Sequence, residues 1–282
     1  MSKISLVLEG GGMRGAYTAG ALAWLLENNI EFDNSYGIST GAVHLASFLL
    51  KDEKILHDTS TEYIADSRIV GLKALLQEGR IVSYDLLFSK ILKDEVKYPF
   101  EKLKDIKHNA KIGLYDLDEG KTIYYPLQEL GSTGLKAACS LPILGKVVKF
   151  LNKRFLDGGI TEMIPIKEAI KDGNNKHLVI TTKPLNYERK KAPFIIRLLM
   201  RIYYLRTPAI ARDYSVRHLN YEEQIGMVKD LADKKEALYF YPSKDLKVSR
   251  LSGDPVVLNE LYQLGYSDME KRKEEIFELV SK

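Results

Sequence analysis

The fold is decided by ISLVLEGGGMRGAYTAG, residues Ile4 to Gly20. Five residues that read as a buried strand, Ile4 to Leu8, meet four glycines within six positions, Gly10, Gly11, Gly12 and Gly15, and a helical pattern begins near Ala16. Glycines at this density let another group approach the backbone closely. Their spacing fits G-x-G-x-x-G, the dinucleotide fingerprint, so the loop suits a pyrophosphate or some other centre of negative charge.

Downstream, strand and helix patterns alternate: a helix to about Asn28, a short strand near Ser35 to Ile38, and a helix from Thr40 to Leu50. Such alternation predicts right-handed βαβ crossovers and a parallel sheet. Helical stretches at 55–65, 67–77 and 83–96 carry apolar residues at three- and four-residue spacing and would cover a sheet face. KIGLYDLDEGKTIYYP (111–126) reads as a β-hairpin turning at Asp118-Glu119-Gly120, and KVVKFLNKRFLDGG (146–159) as a second with Asn152-Lys153 at its turn. HLVITT (177–182) is another central strand. The last third holds a basic amphipathic stretch, a helix near 221–235, a strand ALYFYP and two closing helices. Asp254-Pro255 starts one of these, and Ser267 with Glu270 forms a capping box for the last.

The second informative segment is SYGISTGAV (35–43), in which Gly37-Ile38-Ser39-Thr40-Gly41 fits G-x-S-x-G at a strand-to-helix junction. At a nucleophile elbow, glycines on either side relieve crowding in a tight turn and the serine hydroxyl projects at a helix N-terminus. The motif also fits an N-cap serine between two turn glycines. It follows the glycine-rich loop within one βαβ unit, so both turns should lie at the carboxyl ends of neighbouring strands, where α/β sheets place their sites. If Ser39 attacks an ester carbonyl, the N–H groups of Gly10, Gly11 and Gly12 can face the developing oxyanion, with the charge of Arg14 nearby. In FLDGG, Asp157 ends an apolar run, and Gly158 and Gly159 let the chain turn sharply behind it.

GGGMRG, GISTG and DGG, in this order and with their strand contexts, resemble the patatin-like phospholipases. AACSLP (137–142) is similar to the small-residue and proline segment that often precedes the third block, and the resemblance spans roughly residues 5–180. It implies a three-layer α/β/α sandwich with a mainly parallel central sheet. It also implies a Ser-Asp dyad, with Ser39 as nucleophile, Asp157 as its base and Gly10, Gly11 and Gly12 as the oxyanion hole; Arg14, Gly15, Gly37, Gly41, Gly158 and Gly159 complete the motifs. The implied reaction is hydrolysis of fatty-acyl esters of lipids through an acyl-enzyme, without a metal or cofactor. The portion after Thr182 follows no assignable pattern, so acyl-chain and head-group preference stay open.

Two other readings compete. A dinucleotide-binding protein needs an acid about 20 residues after the glycines, at the end of the second strand; Glu31 and Asp33 have the distance but precede that strand. A non-catalytic membrane-associated protein with a lipase fold would draw on RKKAPFIIRLLMRIYYLR, where Arg197, Arg201 and Arg206 interrupt apolar residues in a pattern suited to an anionic interface, giving a peripheral membrane contact over 194–206. The same pattern fits a core-covering helix whose arginines extend to solvent. An ordinary triad would need a histidine after Asp157. Only His177, at the start of an apolar strand, and His218, in a polar helical stretch, lie there.

Composition sets the outer bounds. With 282 residues, 45% hydrophobic and 28% charged, the chain reads as one soluble α/β domain, with a catalytic core over about 4–182 and a helical portion over about 183–282. The single cysteine, Cys139, and the absence of a Cys/His cluster predict no disulfide and no metal site, and favour a reducing compartment. No segment has the apolar length of a signal peptide or a membrane span. A cytoplasmic location, peripheral at the inner membrane surface, is therefore expected. The net charge of +4 permits attraction to anionic surfaces without pointing to nucleic acid.

Overall fold

The computed structural model describes residues 3–251 and 253–281, with Gln77 described by its backbone alone. Eight strands form one sheet: β1 (Ile4–Leu8), β2 (Asn34–Ile38), β3 (Asn109–Asp116), β4 (Lys121–Pro126), β5 (Val148–Phe150), β6 (Lys153–Asp157), β7 (Lys176–Ile180) and β8 (Ala237–Phe240). Their order is β5-β6-β3-β2-β1-β7-β8, with β4 also paired to β3. The run from β3 through β2, β1 and β7 to β8 is parallel, while the pairings of β3 with β4 and β6, and of β5 with β6, are antiparallel. Every residue of β1 and β2 is buried, as a strand covered on both faces requires.

The helices are α1 (Ala16–Glu27), α2 (Thr40–Leu49), α3 (Glu53–Thr61), α4 (Leu72–Glu78), α5 (Gly131–Cys139), α6 (Ile166–Lys171), α7 (Phe194–Tyr203), α8 (Ala209–Asp233), α9 (Pro255–Lys271) and α10 (Lys273–Val280). Alternate residues of β1 divide them into two layers. Leu6 and Leu8 join a cluster with Trp24 of α1, Leu45 of α2, Leu135 of α5 and Leu261 of α9, whereas Val7 packs with Ala169 of α6 and Val228 of α8. The result is the expected α/β/α sandwich.

The C-terminal helices are gripped by the first one. A β-carbon on Gly20 of α1 would overlap the Tyr262 carbonyl of α9, and one on Gly265 of α9 would overlap the Tyr17 carbonyl of α1. The backbones meet where side chains are missing, and Trp24 Nε1 donates to Glu270 at 2.8 Å nearby. Overpacking a core costs about 1–3 kcal/mol, and a backbone carbonyl has no rotamer with which to yield. Gly265→Val is therefore expected to lower the thermal midpoint by roughly 2–12 °C, read by calorimetry. Gly226→Ala in α8, where a β-carbon meets nothing within 4 Å, should leave the midpoint unchanged or raise it.

Several boundaries differ from the sequence reading. The segment 67–77 is helical only in α4, because Gly71 (φ 103°) interrupts it and Arg68 folds onto Asp66. The next stretch is a π-helix, Leu86–Glu95. The β5–β6 turn uses Leu151-Asn152, both at positive φ, one residue earlier than expected. Helix α8 begins at Ala209, since its inward face carries Asp213 and Gln224, buried polar residues that erase the apolar stripe. The Ser267 capping box is corrected: the stripe Leu258, Leu261, Tyr262, Gly265 and Met269 continues past it, so Ser267 lies inside α9 and the last helix starts at Lys273. Asp254 does cap α9, accepting from the Val256 N–H at 2.8 Å.

Candidate active site

Strand β3 explains how two residues far apart in sequence come together. Along one edge its residues 109–113 pair with β2 in parallel, and residues 114–116 pair with β6 in antiparallel fashion. The other edge is taken by β4 across residues 111–116. Strands β2 and β6 therefore run toward each other along one edge, Ile38 opposite Gly113 and Asp157 opposite Leu114. Ser39, one residue beyond β2, and Asp157, the last residue of β6, line the same cavity.

Ser39 has φ 56° and ψ −126°, a region L-residues rarely occupy and one that costs about 1–3 kcal/mol. The packing around it leaves no alternative. A β-carbon on Gly37 would stand 2.8 Å from the Gly41 carbonyl oxygen, one on Gly41 2.9 Å from the Leu8 and Glu9 carbonyl oxygens, and one on Gly10 2.8 Å from the Ser39 Cβ. The chain turns from β2 straight into α2, whose N-terminus starts at the next residue.

Asp157 is 2% exposed and Ser39 8% exposed. Burial raises the Asp157 pKa above its ordinary value of 3.8; interaction with the Ser39 hydroxyl, the Gly159 N–H and the cations Arg217 and Arg250 opposes that rise without cancelling it. The Gly159 N–H donates to Asp157 Oδ1 at 2.7 Å, and the Asp157 N–H to the Ser140 carbonyl at 2.9 Å, which fixes the carboxyl's direction. Gly158 is confined by the Gly113 carbonyl of β3. No hydrogen bond to a histidine is made by Ser39 or Asp157 among the described residues. His177 lies at the far end of β7, bonded through Nδ1 to Ser5 Oγ at 2.7 Å; His44 is buried beside the loop, held down to about 4 by that burial. Cys139 also borders the cavity, and burial pushes its thiol well above the usual range.

The three loop amides differ from one another. The Gly10 N–H donates to the Met163 carbonyl at 3.2 Å, and the Gly11 N–H to Thr40 Oγ1 at 3.1 Å. The Gly12 N–H has no hydrogen-bond partner among the described residues. Of the three amides expected to face an oxyanion, that of Gly10 therefore bonds to backbone and that of Gly11 to a side-chain hydroxyl. Arg14 borders a separate cavity with Thr182 and Tyr187, so the positive charge nearest Asp157 comes from Arg217 and Arg250 instead.

Residues that the motifs do not contain hold this loop. Glu9, 0% exposed, pairs with Lys183, 1% exposed, and its Oε2 accepts the Thr182 N–H at 2.7 Å and Oγ1 at 3.0 Å. Burial alone would raise the Glu9 pKa, but Lys183 and Thr182 outweigh it and hold the carboxyl below its ordinary value. Gln224 of α8 accepts the N–H groups of Met163 and Ile164 at 2.9 and 3.0 Å, anchoring the carbonyl on which Gly10 rests. Lys183 lies three residues beyond β7, and no signal in the sequence singles out either it or Gln224.

The cavity is partly open to solvent, and its walls are mostly aliphatic and aromatic, among them Val43, Ile69, Val82, Phe88 and Leu92. Such a space suits a hydrocarbon chain. The acids required for dinucleotide binding are elsewhere: Asp33 accepts the Ile4 N–H at 2.7 Å and Glu31 pairs with Lys51, both at the end of the sheet opposite the glycine loop. Among the described residues no helix is long and apolar enough to cross a membrane.

The family model for Patatin-like phospholipase matches residues 6–170, and a model for a domain of unknown function matches residues 207–281. The chain is 26% identical over 190 residues to the uncharacterized protein YjjU of Escherichia coli (strain K12), covering 64% of this chain and 52% of that one. It therefore spans about half the length of that relative. Over 258 residues it is 25% identical to the probable lipid hydrolase 463L of Invertebrate iridescent virus 6, covering 83% of this chain and 81% of the viral one. The crystal structure of VipD from Legionella pneumophila superposes with a TM-score of 0.50 at 10% identity, covering 99% of this chain and 67% of VipD, which speaks to the fold.

Proposed function

We propose that this chain, which belongs to the patatin-like phospholipase family, is a serine hydrolase that cleaves fatty-acyl carboxylic esters of lipids. One observation carries the reading: a serine in a strained strand-to-helix turn shares an aliphatic cavity with a buried carboxyl group. The relative named a probable lipid hydrolase supports the substrate class.

In this reading the Ser39 Oγ attacks the acyl carbonyl carbon and Asp157 takes the hydroxyl proton. The N–H groups of Gly11 and Gly12 stabilise the oxyanion, Gly11 exchanging Thr40 Oγ1 for it; one such donor is worth about 10²–10³ in rate. Collapse of the intermediate expels the alcohol, which receives the proton from Asp157, and leaves the acyl group on Ser39. Water, deprotonated by Asp157, attacks the acyl carbon, the acyl–Oγ bond breaks, and Asp157 returns the proton to Ser39 as the fatty acid leaves. A serine-reactive fluorophosphonate probe should label the protein at Ser39, located by mass spectrometry, and should abolish hydrolysis of a p-nitrophenyl ester. Labelling elsewhere, or undiminished turnover after labelling of Ser39, overturns the assignment.

The base must be ionised to act. Because the Asp157 pKa is raised, kcat/KM for a soluble ester is expected to fall with decreasing pH along a limb placed above that of an ordinary carboxylate. Arg217→Met removes a cation that lowers this pKa, so the limb should move to still higher pH in the pH-rate profile.

Peripheral contact with a lipid surface suits α7. Phe194 is 70% and Ile202 57% exposed, with Arg201 on the same helix. Burying one such side chain is worth about 1.5–3 kcal/mol, so Ile202→Asp should weaken vesicle binding, measured by flotation, by about tenfold or more while sparing turnover of a soluble ester.

A further inference from the structure

A second cavity adjoins the first, with Arg217 and Arg250 lining both. Arg189, Lys190 and His218 complete its polar wall. Among the described residues none of Arg189, Arg217 or Arg250 forms an ion pair, whereas Arg68 pairs with Asp66 and Arg272 with Glu275. The Arg189 Nε and the His218 Nδ1 are shielded from solvent and have no hydrogen-bond partner. Arg217 spends only its Nε, donating to the Gly159 carbonyl two residues from the Asp157 carboxyl. Three guanidinium groups thus converge with unspent donors, and burial, with the charges of Arg250 and Arg189 adding to it, pushes the Arg217 pKa below its ordinary value. A tetrahedral oxyanion is what relieves such a cluster: it brings two or more charges and acceptor atoms matched to guanidinium forks.

We propose that this second cavity binds the phosphate of an anionic lipid head group through Arg189, Arg217 and Arg250, while the acyl chain of the same molecule lies in the Ser39 cavity. The inference rests on the hydrolase reading for the identity of the chain-binding cavity. The shared wall sets the ester between the two cavities, beside Ser39, so the phosphate contact positions the scissile bond. None of these arginines lies in a glycine or serine motif; they come from the segment before α7, from α8 and from the loop before α9.

The test separates binding from turnover by using Ser39→Ala protein. Affinity for 1-acylglycerol 3-phosphate is compared with that for 1-acylglycerol carrying the same chain, by calorimetry below the aggregation concentration. The phosphate-bearing lipid is expected to bind at least about tenfold more tightly, and Arg189→Gln with Arg250→Gln to abolish that ratio, because charge-assisted hydrogen bonds are the strong ones. Arg189→Lys should keep part of it, which separates loss of charge from loss of fold. Equal affinities for the two lipids, or a ratio unmoved by the double substitution, overturns the inference whether or not the wild-type protein hydrolyses either lipid. Glycerol 3-phosphate and inorganic phosphate are run as competitors. Displacement only at far higher concentration than the lipid supports a lipid head group, and binding as tight as that of the lipid shows a site for free phosphate and overturns the lipid assignment. In the wild-type enzyme the same arginine pair should change the kcat/KM ratio of the two lipids chiefly through KM.

Discussion

Ser39→Ala is expected to lower hydrolysis of a p-nitrophenyl ester by at least about 10⁴-fold in kcat, with the thermal midpoint nearly unchanged. The size follows from the role: removing a nucleophile removes the covalent route altogether, and what survives is the modest help of oxyanion donors and binding. The strain at φ 56° is not relieved by alanine, which dislikes that region as serine does, so stability should not improve. Asp157→Asn is expected to cost about 10³–10⁴-fold in the same assay. There the stability effect has a sign. A carboxyl group whose folded pKa lies above its unfolded one makes the ionised fold less stable as pH rises through that pKa. At neutral pH the amide should therefore match or exceed the parent midpoint while the Gly159 N–H keeps its acceptor. Activity retained in either variant, measured as initial rates on folded protein, removes that residue from the mechanism.

The largest loss of stability is expected at the other end of the glycine loop. Lys183→Met leaves the buried Glu9 carboxylate without its paired cation, and an unpaired buried charge costs about 3–5 kcal/mol. In a protein of this size that is a fall of roughly 6–20 °C in the thermal midpoint. Lys183 also sits over the rings of Tyr187 and Tyr221 at 5.5 and 5.0 Å, contacts that methionine keeps only as packing. Glu9→Gln combined with Lys183→Met should recover most of the loss, because a neutral amide can still accept the Thr182 N–H. Calorimetry of the two single variants and the double variant gives the coupling directly. Additive single effects would mean that the two side chains are not paired in solution. Since Glu9 immediately precedes Gly10, ester hydrolysis in Lys183→Met should also fall further than the unfolded fraction explains.

Much of this was legible in the chain, and the reason is local. Strand β1, the glycine turn and α1 are written in consecutive residues, as are β2, Ser39 and α2, and each block carries its own turn chemistry. The meeting of Ser39 with Asp157 was legible only through family likeness, because it depends on β2 and β6 sharing one edge of β3, a pairing that no spacing in the sequence encodes. The supports were hidden for a different reason. Thr40, Lys183, Gln224, Arg217 and Arg250 act by pointing polar atoms inward, and in a helix such as α8 this weakens the amphipathic pattern that would have announced the element. That all three loop amides face an oxyanion was expected from the glycine loop's place beside Ser39 and from the family likeness. Which amide is committed depends on the carbonyl of Met163, and so on Gln224 some 60 residues further along the chain.

The bare contact between α1 and α9 has a hereditary consequence. Two positions at opposite ends of the polypeptide answer to one gap between helices, so neither can enlarge by ordinary drift unless the other helix is displaced. They should behave as a single inherited character: wherever relatives carry both segments, Gly20 and Gly265 ought to stay small together or change together. A chimera that borrows its last helices from elsewhere will assemble only if the donor brings an equally slender residue to that crossing.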